Sequence, residues 1–182
     1  MNMSASTPWG YVHLHPKKVD RFEEEVRRLG QVPCFVHRSV IYKPRHGDRG
    51  VKKEVVPTVS GLVFLQGPDR RLQSFLDEHF PLLYLVKDRS TNRPAVIPDA
   101  QMQPFMQVLR DDPTRIRILE HPIEQYAQGN VRLRILTGLF KGQEGYLIRI
   151  NRDRKLVMRL GNLTIAIGNI IKEEFEEAEP RR

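Results

Sequence analysis

The first hundred residues mix strand-like and helix-like spacing of apolar positions. Trp9 to His15 alternates with a period of two, which predicts a strand with Trp9 and Tyr11 on one face. Pro16 to Gly30 repeats apolar residues at helical spacing, with proline at its start and glycine at its end. Two more helical stretches follow, around Leu72 and after Asp99, which is expected to cap the second one. The other strand-like segments are CFVHRSVIY, VVPTVSGLVFLQG, LLYLVKD and AVIP.

The segment LVFL, Leu62 to Leu65, is apolar at every position. We expect the three helices to cover one face of a small antiparallel sheet, filled by Val63 and Leu65. Leu62 and Phe64, with Trp9 or Tyr11, would then form an apolar patch with no partner in this part of the chain, and such patches mark interfaces. The alternative is that the linker or the second domain covers them.

Beyond residue 111 the pattern changes. Residues 111–130 contain two prolines and no clear period, which is typical of a linker. Short alternating strands follow, separated by turns, and a final charged segment is expected to form a frayed helical turn. Four or five strands in about fifty residues favour a small closed barrel, because closure removes exposed strand edges. The predicted strands are Val131–Ile135, Gly145–Ile150, Lys155–Leu160 and Leu163–Ile167.

The whole chain is therefore predicted to be α+β. An N-terminal α/β sandwich, an antiparallel sheet with flanking helices, is followed by a small SH3-like β-barrel. The predicted divisions are residues 1–112, a linker at 113–128, the barrel at 129–175 and a charged tail at 176–182.

The composition gives the chain a net positive charge. The 182 residues include 30 Lys and Arg against 22 Asp and Glu, a net charge of +8, which favours a polyanionic partner such as nucleic acid over a merely solvated basic surface. The N-terminus lacks the features of a signal peptide, and no apolar run approaches the length of a membrane span, so the cytosol is the expected compartment, with no membrane partner.

Catalytic chemistry is thinly represented. The glycines at 138, 142 and 145 lie between two predicted strands without the Gly-Lys-Ser/Thr ending of a phosphate loop, which favours a hairpin turn. The single cysteine, Cys34, excludes an intrachain disulfide. Ser39 beside His37 lacks the Gly-x-Ser-x-Gly setting of a nucleophile. We therefore expect no enzymatic activity, no cofactor and no metal site.

Basic residues form two clusters that could follow a phosphate backbone, although each could equally keep its surface solvated. One cluster lies at the tip of the predicted long hairpin and the other on the first strand of the barrel. The candidate nucleic-acid-binding residues are Arg45, Arg49, Lys52, Lys53, Arg132 and Arg134.

The order of these parts resembles the NusG family of transcription elongation factors, which carry an NGN domain, a linker and a KOW barrel. The stretch VRLRILTGLFKGQEGYLIRI is similar to the KOW pattern of hydrophobic strand, Gly-x-Phe-x-Gly-x-x-Gly and hydrophobic strand, with Gly138, Phe140, Gly142 and Gly145 on the motif. VVPTVSGLVFL and FPLLYLVKDRSTNRPAVIPDAQMQPFMQV resemble the UpxY type, antiterminators tied to surface-polysaccharide operons.

The resemblance implies a non-catalytic factor that binds the clamp helices of RNA polymerase and suppresses pausing or termination. The family's apolar contact patch falls here on Trp9, Tyr11, Leu62 and Phe64. Further expected partners are the nucleic acid of the elongation complex and a ribosomal protein or other KOW-binding factor. LGNLTIAI replaces the family's Phe-Gly-Arg segment, which favours a specialised factor. The alternative function is a ribosome-associated or general RNA-binding KOW protein.

Overall fold

A computed structural model describes residues 6–47, 50–57, 61–170 and 172–178. Within these ranges the chain forms eleven strands and four helices. The strands are β1 (Trp9–His13), β2 (Cys34–Val36), β3 (Arg38–Pro44), β4 (Val51–Pro57), β5 (Leu62–Gln66), β6 (Ile116–Leu119), β7 (Arg132–Ile135), β8 (Glu144–Ile150), β9 (Asp153–Leu160), β10 (Leu163–Ile167) and β11 (Phe175–Glu177). The helices are α1 (Pro16–Leu29), α2 (Asp69–His79), α3 (Asp99–Asp111) and α4 (Ile123–Ala127). The fold is α+β, as predicted.

The first sheet has three antiparallel strands in the order β1-β5-β2. Its central strand β5 is buried on both faces, which accounts for the unbroken apolar run at Leu62 to Leu65. Helices α1 and α2 cover the face that carries Val63 and Leu65, whereas Phe105 and Met102 of α3 pack on the opposite face. The expectation that all three helices share one face is therefore wrong, because α3 carries enough apolar surface to close the second face.

Helix α1 shows how directly local sequence determines an element. Pro16 occupies the first turn, and the His15 side chain caps the helix by accepting a hydrogen bond from the Lys17 amide at 3.3 Å. Gly30 ends it at φ 65°, where its amide donates to the Val26 carbonyl. Val19, Phe22 and Val26 lie on the buried side, as the spacing predicted.

Strands β3 and β4 form a separate two-stranded hairpin, paired from Arg38↔Pro57 to Pro44↔Val51. The long hairpin is thus confirmed, and its described tip includes Arg45 and Gly50, whose backbones hydrogen-bond at 3.1 Å. The candidate Arg49 lies outside the described residues.

The second sheet is wholly antiparallel, in the order β11-β7-β8-β9-β10-β6. The four predicted strands are confirmed. The segment predicted as a linker at residues 113–128 instead contributes β6, which pairs with β10, and the short helix α4. The tail predicted as a helical turn forms β11 against β7. Domain boundaries at residues 112 and 129 stay a prediction.

The segment between α2 and α3 also differs from expectation. LLYLVKD and AVIP contribute only isolated bridges, Lys87↔Pro94 and Trp9↔Ile97, instead of strands. Leu82 and Tyr84 are exposed, so the apolar run there is not a buried strand. Val86 is tied to β1 by one hydrogen bond, from its amide to the Tyr11 carbonyl.

Candidate protein-binding interface

The sheet register brings the predicted contact residues together. Tyr11 of β1 lies directly opposite Phe64 of β5, and direct cross-strand partners share a face. Leu62 lies two residues before Phe64, and Trp9 two residues before Tyr11, so all four side chains lie on the face that α3 packs against.

These four side chains are nevertheless closed off. Trp9, Tyr11, Leu62 and Phe64 are 4%, 3%, 5% and 0% exposed. The Phe64 ring lies 5.7 Å from that of Phe105, edge to face. The expectation that the patch has no partner in the N-terminal part of the chain is therefore wrong: α3 supplies one.

The second sheet completes the cover. Its residues Ile165, Met158 and Ile135 belong to the same apolar cluster as Tyr11 and Leu62. The turn between β9 and β10 packs against Ile97, which bridges to Trp9 of β1: a Cβ added to Gly161 would lie 2.7 Å from Ile97 Cγ1. We call Gly161 and Asn162 the docking turn.

Three polar contacts mark the seam around this covered face. The Tyr11 hydroxyl donates to Asn162 Oδ1 at 2.8 Å, and the Gly161 amide donates to Gln101 Oε1 at 2.8 Å. The Trp9 indole donates to Asp99 Oδ1 at 2.8 Å. Asp99 thus holds Trp9 and makes no capping hydrogen bond, contrary to the prediction. Burial raises the pKa of Tyr11, which keeps its hydroxyl protonated as the donor.

The docking turn requires glycine. Gly161 has φ +60°, and a Cβ there would lie 2.7 Å from Ile97 Cγ1 and 3.0 Å from the Val96 carbonyl oxygen. A larger residue would push the turn away from the first sheet, so the docked arrangement depends on this position.

The two basic clusters differ in their surroundings. Arg45, Lys52 and Lys53 are exposed near the hairpin tip, and none has an ion pair within the described ranges. Lys43 pairs with Glu54 at 2.7 Å further down the hairpin.

In contrast, Arg132 and Arg134 face carboxylates. Glu144 lies 3.3 Å from both arginines, and Glu176 lies 3.2 Å from Arg134. The hydrogen bond to Glu144 contributes most to the raised pKa of Arg134. These pairs tie β7 to β8 and β11. Sequence reasoning overlooked Glu176 because β11 was not predicted.

The glycine-rich stretch connects β7 and β8 as an antiparallel hairpin, which confirms the turn interpretation. Phe140 is buried, and Gly142 has φ +84° while its amide donates to the Ile135 carbonyl at 2.7 Å. A Cβ on Gly145 would lie 2.6 Å from the Val157 carbonyl oxygen, so β8 and β9 need glycine there to approach.

No group of three or more His, Cys, Asp or Glu side chains in the described ranges could hold a metal ion. None of the described helices is long and apolar enough to cross a membrane.

Sequence reasoning found the four contact candidates but missed most of what covers them. Phe105 was recognised only as a helix residue, and Gly161–Asn162 only as a turn. No pattern along the chain indicates that this turn meets Tyr11, 151 residues earlier.

Comparison with known proteins finds a likeness to solved structures. No model of a known protein family matches the chain, and no curated protein matches it. A solved structure described as "Domain interaction in Thermotoga maritima NusG" is similar over 92% of this chain and 96% of that chain, with 16% sequence identity and a TM-score of 0.44. A TM-score of this size does not assign a family.

Proposed function

We propose that the protein is a transcription elongation factor of the NusG kind and the UpxY type. It acts in the cytoplasm, binds the clamp helices of RNA polymerase through the covered face of the first sheet, and suppresses pausing or termination on surface-polysaccharide operons. The observation that carries the proposal is that this apolar face is closed on one side by a turn from a separate sheet, held by the Tyr11–Asn162 and Gln101–Gly161 hydrogen bonds.

The four candidate residues then divide into two roles. Tyr11 hydrogen-bonds to Asn162 of the docking turn, and Leu62 lines a cleft of about 800 Å³ that Leu163 of β10 also lines. Both would become accessible when the second sheet moves away. Trp9 is held by Asp99 of α3, and Phe64 packs on Phe105. Tyr11 and Leu62 are the proposed contacts, and Trp9 and Phe64 support them.

The experiment separates the two halves without cutting the chain. Gly161→Asn keeps a residue that tolerates positive φ but adds the Cβ that meets Ile97. Gly129→Asn is the matched control, since Gly129 has φ +71° with nothing within 4 Å of an added Cβ. The added Cβ in Gly161→Asn should destabilise the docked arrangement by about 1–2 kcal/mol through overpacking. The covered face then opens more often, so polymerase retention should rise about tenfold in Gly161→Asn and stay unchanged in Gly129→Asn.

Two readouts keep the result clear. The backbone amide of residue 161 donates to Gln101 Oε1 in the docked arrangement, so faster hydrogen–deuterium exchange of this amide in Gly161→Asn reports that the cover has loosened. Purified polymerase on a template with a terminator should then show more read-through with this variant. Loosening without any gain in polymerase binding would show that the covered face is not the polymerase contact.

The hairpin tip is the proposed contact with the nucleic acid of the elongation complex. Lys52→Ser with Lys53→Ser should flatten the dependence of affinity on salt by about two units of slope, one for each phosphate contact. Arg21→Ser with Arg70→Ser, which removes two exposed arginines elsewhere, is the control for net charge. Equal slopes in both double variants would leave the tip without a role in binding.

The alternative, a ribosome-associated or general RNA-binding protein, has less support. It would use the basic face of the second sheet, where Arg132 and Arg134 are already paired with Glu144 and Glu176. A ribosomal protein or another KOW-binding factor remains a proposed partner of that sheet.

A further inference from the structure

The β3–β4 hairpin has two faces that differ in polarity. Because side chains alternate along a strand, the register assigns three cross-strand pairs to one face, which we call the aromatic face. These pairs are Val40–Val55, Tyr42–Lys53 and Pro44–Val51. The opposite face carries Lys43, Lys52 and Glu54, and Lys43 pairs with Glu54 at 2.7 Å. The aromatic face therefore has no carboxylate of its own, and Lys53 is its only charged residue.

The aromatic face is open to solvent. Tyr42 and Val51 are each 60% exposed, and Val55 is 54% exposed. Within the described residues the Tyr42 ring contacts no other aromatic ring, and its hydroxyl makes no hydrogen bond. Single exposed apolar side chains are ordinary, but here three lie together on one sheet face with nothing packed over them. Such a grouping indicates a binding surface.

Unpaired cations border the aromatic face. Lys53 lies directly across from Tyr42, so the Cβ atoms of the two residues are about 5 Å apart. Lys52 precedes Lys53 in β4, and Arg45 follows the end of β3. None of these three cations has an ion pair in the described part of the chain. The ligand of this face is therefore expected to be anionic.

The combination of an exposed ring and unpaired cations suits a nucleic acid whose bases are free to stack. Every base has a flat face that an aromatic side chain can contact, and the backbone carries a charge at each phosphate. A lipid surface would favour tryptophan, phenylalanine and leucine, whereas valine and proline accompany Tyr42 here. The face also lacks a carboxylate to accept a hydrogen bond from a 2′-hydroxyl, the group that distinguishes RNA from DNA. This favours DNA.

We propose that the aromatic face of the hairpin binds unpaired DNA. One base stacks on the Tyr42 ring, and Lys53, Lys52 and Arg45 contact the adjoining phosphates. This inference rests on the proposed contact of the hairpin tip with nucleic acid and deepens it, since phosphate contacts alone are also made to paired strands. Stacking on Tyr42 gives the chain a preference for a strand that is separated from its complement.

The test is fluorescence anisotropy of a labelled oligothymidine, titrated with the full chain, either alone or annealed to its complement. The duplex carries the higher charge density, so phosphate contacts alone predict that it binds at least as tightly. Stacking predicts that the single strand binds at least about fivefold more tightly. Equal or tighter binding of the duplex would overturn the proposal, as would absence of binding by both.

Variants of the ring separate stacking from other contacts. Tyr42→Ala should weaken binding of the single strand by at least about fivefold and of the duplex by less than about twofold. Tyr42→Phe keeps the ring and should retain the affinity within about twofold. Tyr84→Ala removes a ring that is 65% exposed outside the hairpin and serves as the control. Unchanged binding in Tyr42→Ala, or equal losses in Tyr42→Ala and Tyr42→Phe, would overturn the role of the ring.

A cross-linking arm locates the contact. An oligothymidine with 5-iodouracil in place of one thymine should, on irradiation, cross-link to Tyr42, as identified by mass spectrometry of the peptides. Cross-links confined to residues outside the hairpin would overturn the proposal.

The remaining outcomes distinguish this proposal from the proposed function. If the single strand and the duplex bind equally, and Lys52→Ser with Lys53→Ser weakens both, the contact of the tip with nucleic acid stands and the stacking is wrong. Tighter binding of oligouridine RNA than of oligothymidine would overturn the assignment to DNA. Binding to phosphatidylglycerol vesicles that is lost in Tyr42→Ala, without binding to the oligonucleotides, would assign the face to a lipid surface instead.

Discussion

The two faces of the first sheet are both buried, but they are closed in different ways. The face with Val63 and Leu65 is covered by α1 and α2, which lie near it in sequence and pack through apolar side chains. The face with Tyr11 and Phe64 is covered by α3 and the second sheet, through hydrogen bonds that span 90 and 151 residues.

The two covers differ in how easily each could move away from the first sheet. Opening either cover exposes apolar side chains to water, which costs free energy, and the cover made by α1 and α2 is apolar throughout. A seam that contains Tyr11–Asn162 and Gln101–Gly161 can exchange its hydrogen bonds for water at a small net cost. The second face also borders the cleft lined by Leu62 and Leu163, and the buried His37. It therefore combines burial with the polar composition of an interface.

The largest expected effect tests whether the second face is a true core. Phe64→Ala and Leu65→Ala each truncate a side chain with no exposed surface, one on each face. Each should lower the free energy of unfolding by about 3 kcal/mol or more, measured by urea denaturation. Leu82→Ala, at an exposed position, is the control and should change it by less than about 0.5 kcal/mol.

On an open apolar patch, as the sequence predicted for this face, truncating Phe64 would cost little stability. If Phe64→Ala lowered the free energy of unfolding as little as Leu82→Ala, the second face would be held only loosely in solution, whereas the face with Leu65 would be a rigid core.

The next effect is pH dependence on the second face alone. The pKa of His37 is about 4 when folded and 6.5 in a free histidine, so the unfolded chain binds an extra proton between these values. The contribution of His37 to the free energy of unfolding is therefore complete above pH 6.5. It is lost as the pH falls towards 4, by about 3 kcal/mol in total.

Comparison with His37→Phe isolates this contribution. The other charged or titratable groups lining the cleft are Tyr11, His13, Arg89, Arg117 and Glu120, and they are the same in both proteins. The difference between the two stability curves should appear between pH 6.5 and 4 and be flat above. Parallel curves over this interval would mean that His37 is hydrated or partnered in solution.

The smallest effect concerns the seam. Tyr11→Phe removes one hydroxyl and leaves Asn162 Oδ1 without its donor, which should cost about 1 kcal/mol. Tyr42→Phe makes the same chemical change at a side chain that is 60% exposed and should cost almost nothing. Thermal unfolding of both variants measures the difference, and equal midpoints would show that the Tyr11 hydrogen bond adds no stability to the docked arrangement.

Much of the fold could be predicted because apolar residues recur at regular spacing along it. Leu133 and Ile135, and likewise Leu156, Met158 and Leu160, are apolar at every second position, which favours strands, although Val157 is buried as well. Helices α1, α2 and α3 were likewise evident from their spacing. Segment RIRIL at 115–119 repeats the pattern of RLRI at 132–135, so β6 was within reach of the same reasoning. The prolines on either side concealed it.

The remaining features depend on contacts between distant segments. Strand β11 is three residues long and two of them are glutamates, so local preference does not predict it; its pairing with β7 does. Similarly, the apolar character of Phe64 is compatible with an exposed patch and with a buried core. Only its contact with Phe105 of α3 shows that Phe64 is buried. The sequence indicated the candidate face, with cover by the linker or the second domain as the alternative, but it did not indicate cover by α3.

Strand β6 also sets how far the halves can separate. Gly168 donates to the Arg115 carbonyl, and the Arg115 side chain hydrogen-bonds to the Gly168 and Asn169 carbonyls, so the second half begins at Arg115. Helix α3 ends at Asp111, which leaves Asp112 to Thr114 as the tether, at most about 11 Å when extended. A tether so short keeps the detached half at a local concentration of millimolar order or higher. Any partner that binds the covered face must therefore compete with the second half of the chain, which stays attached and can dock again immediately.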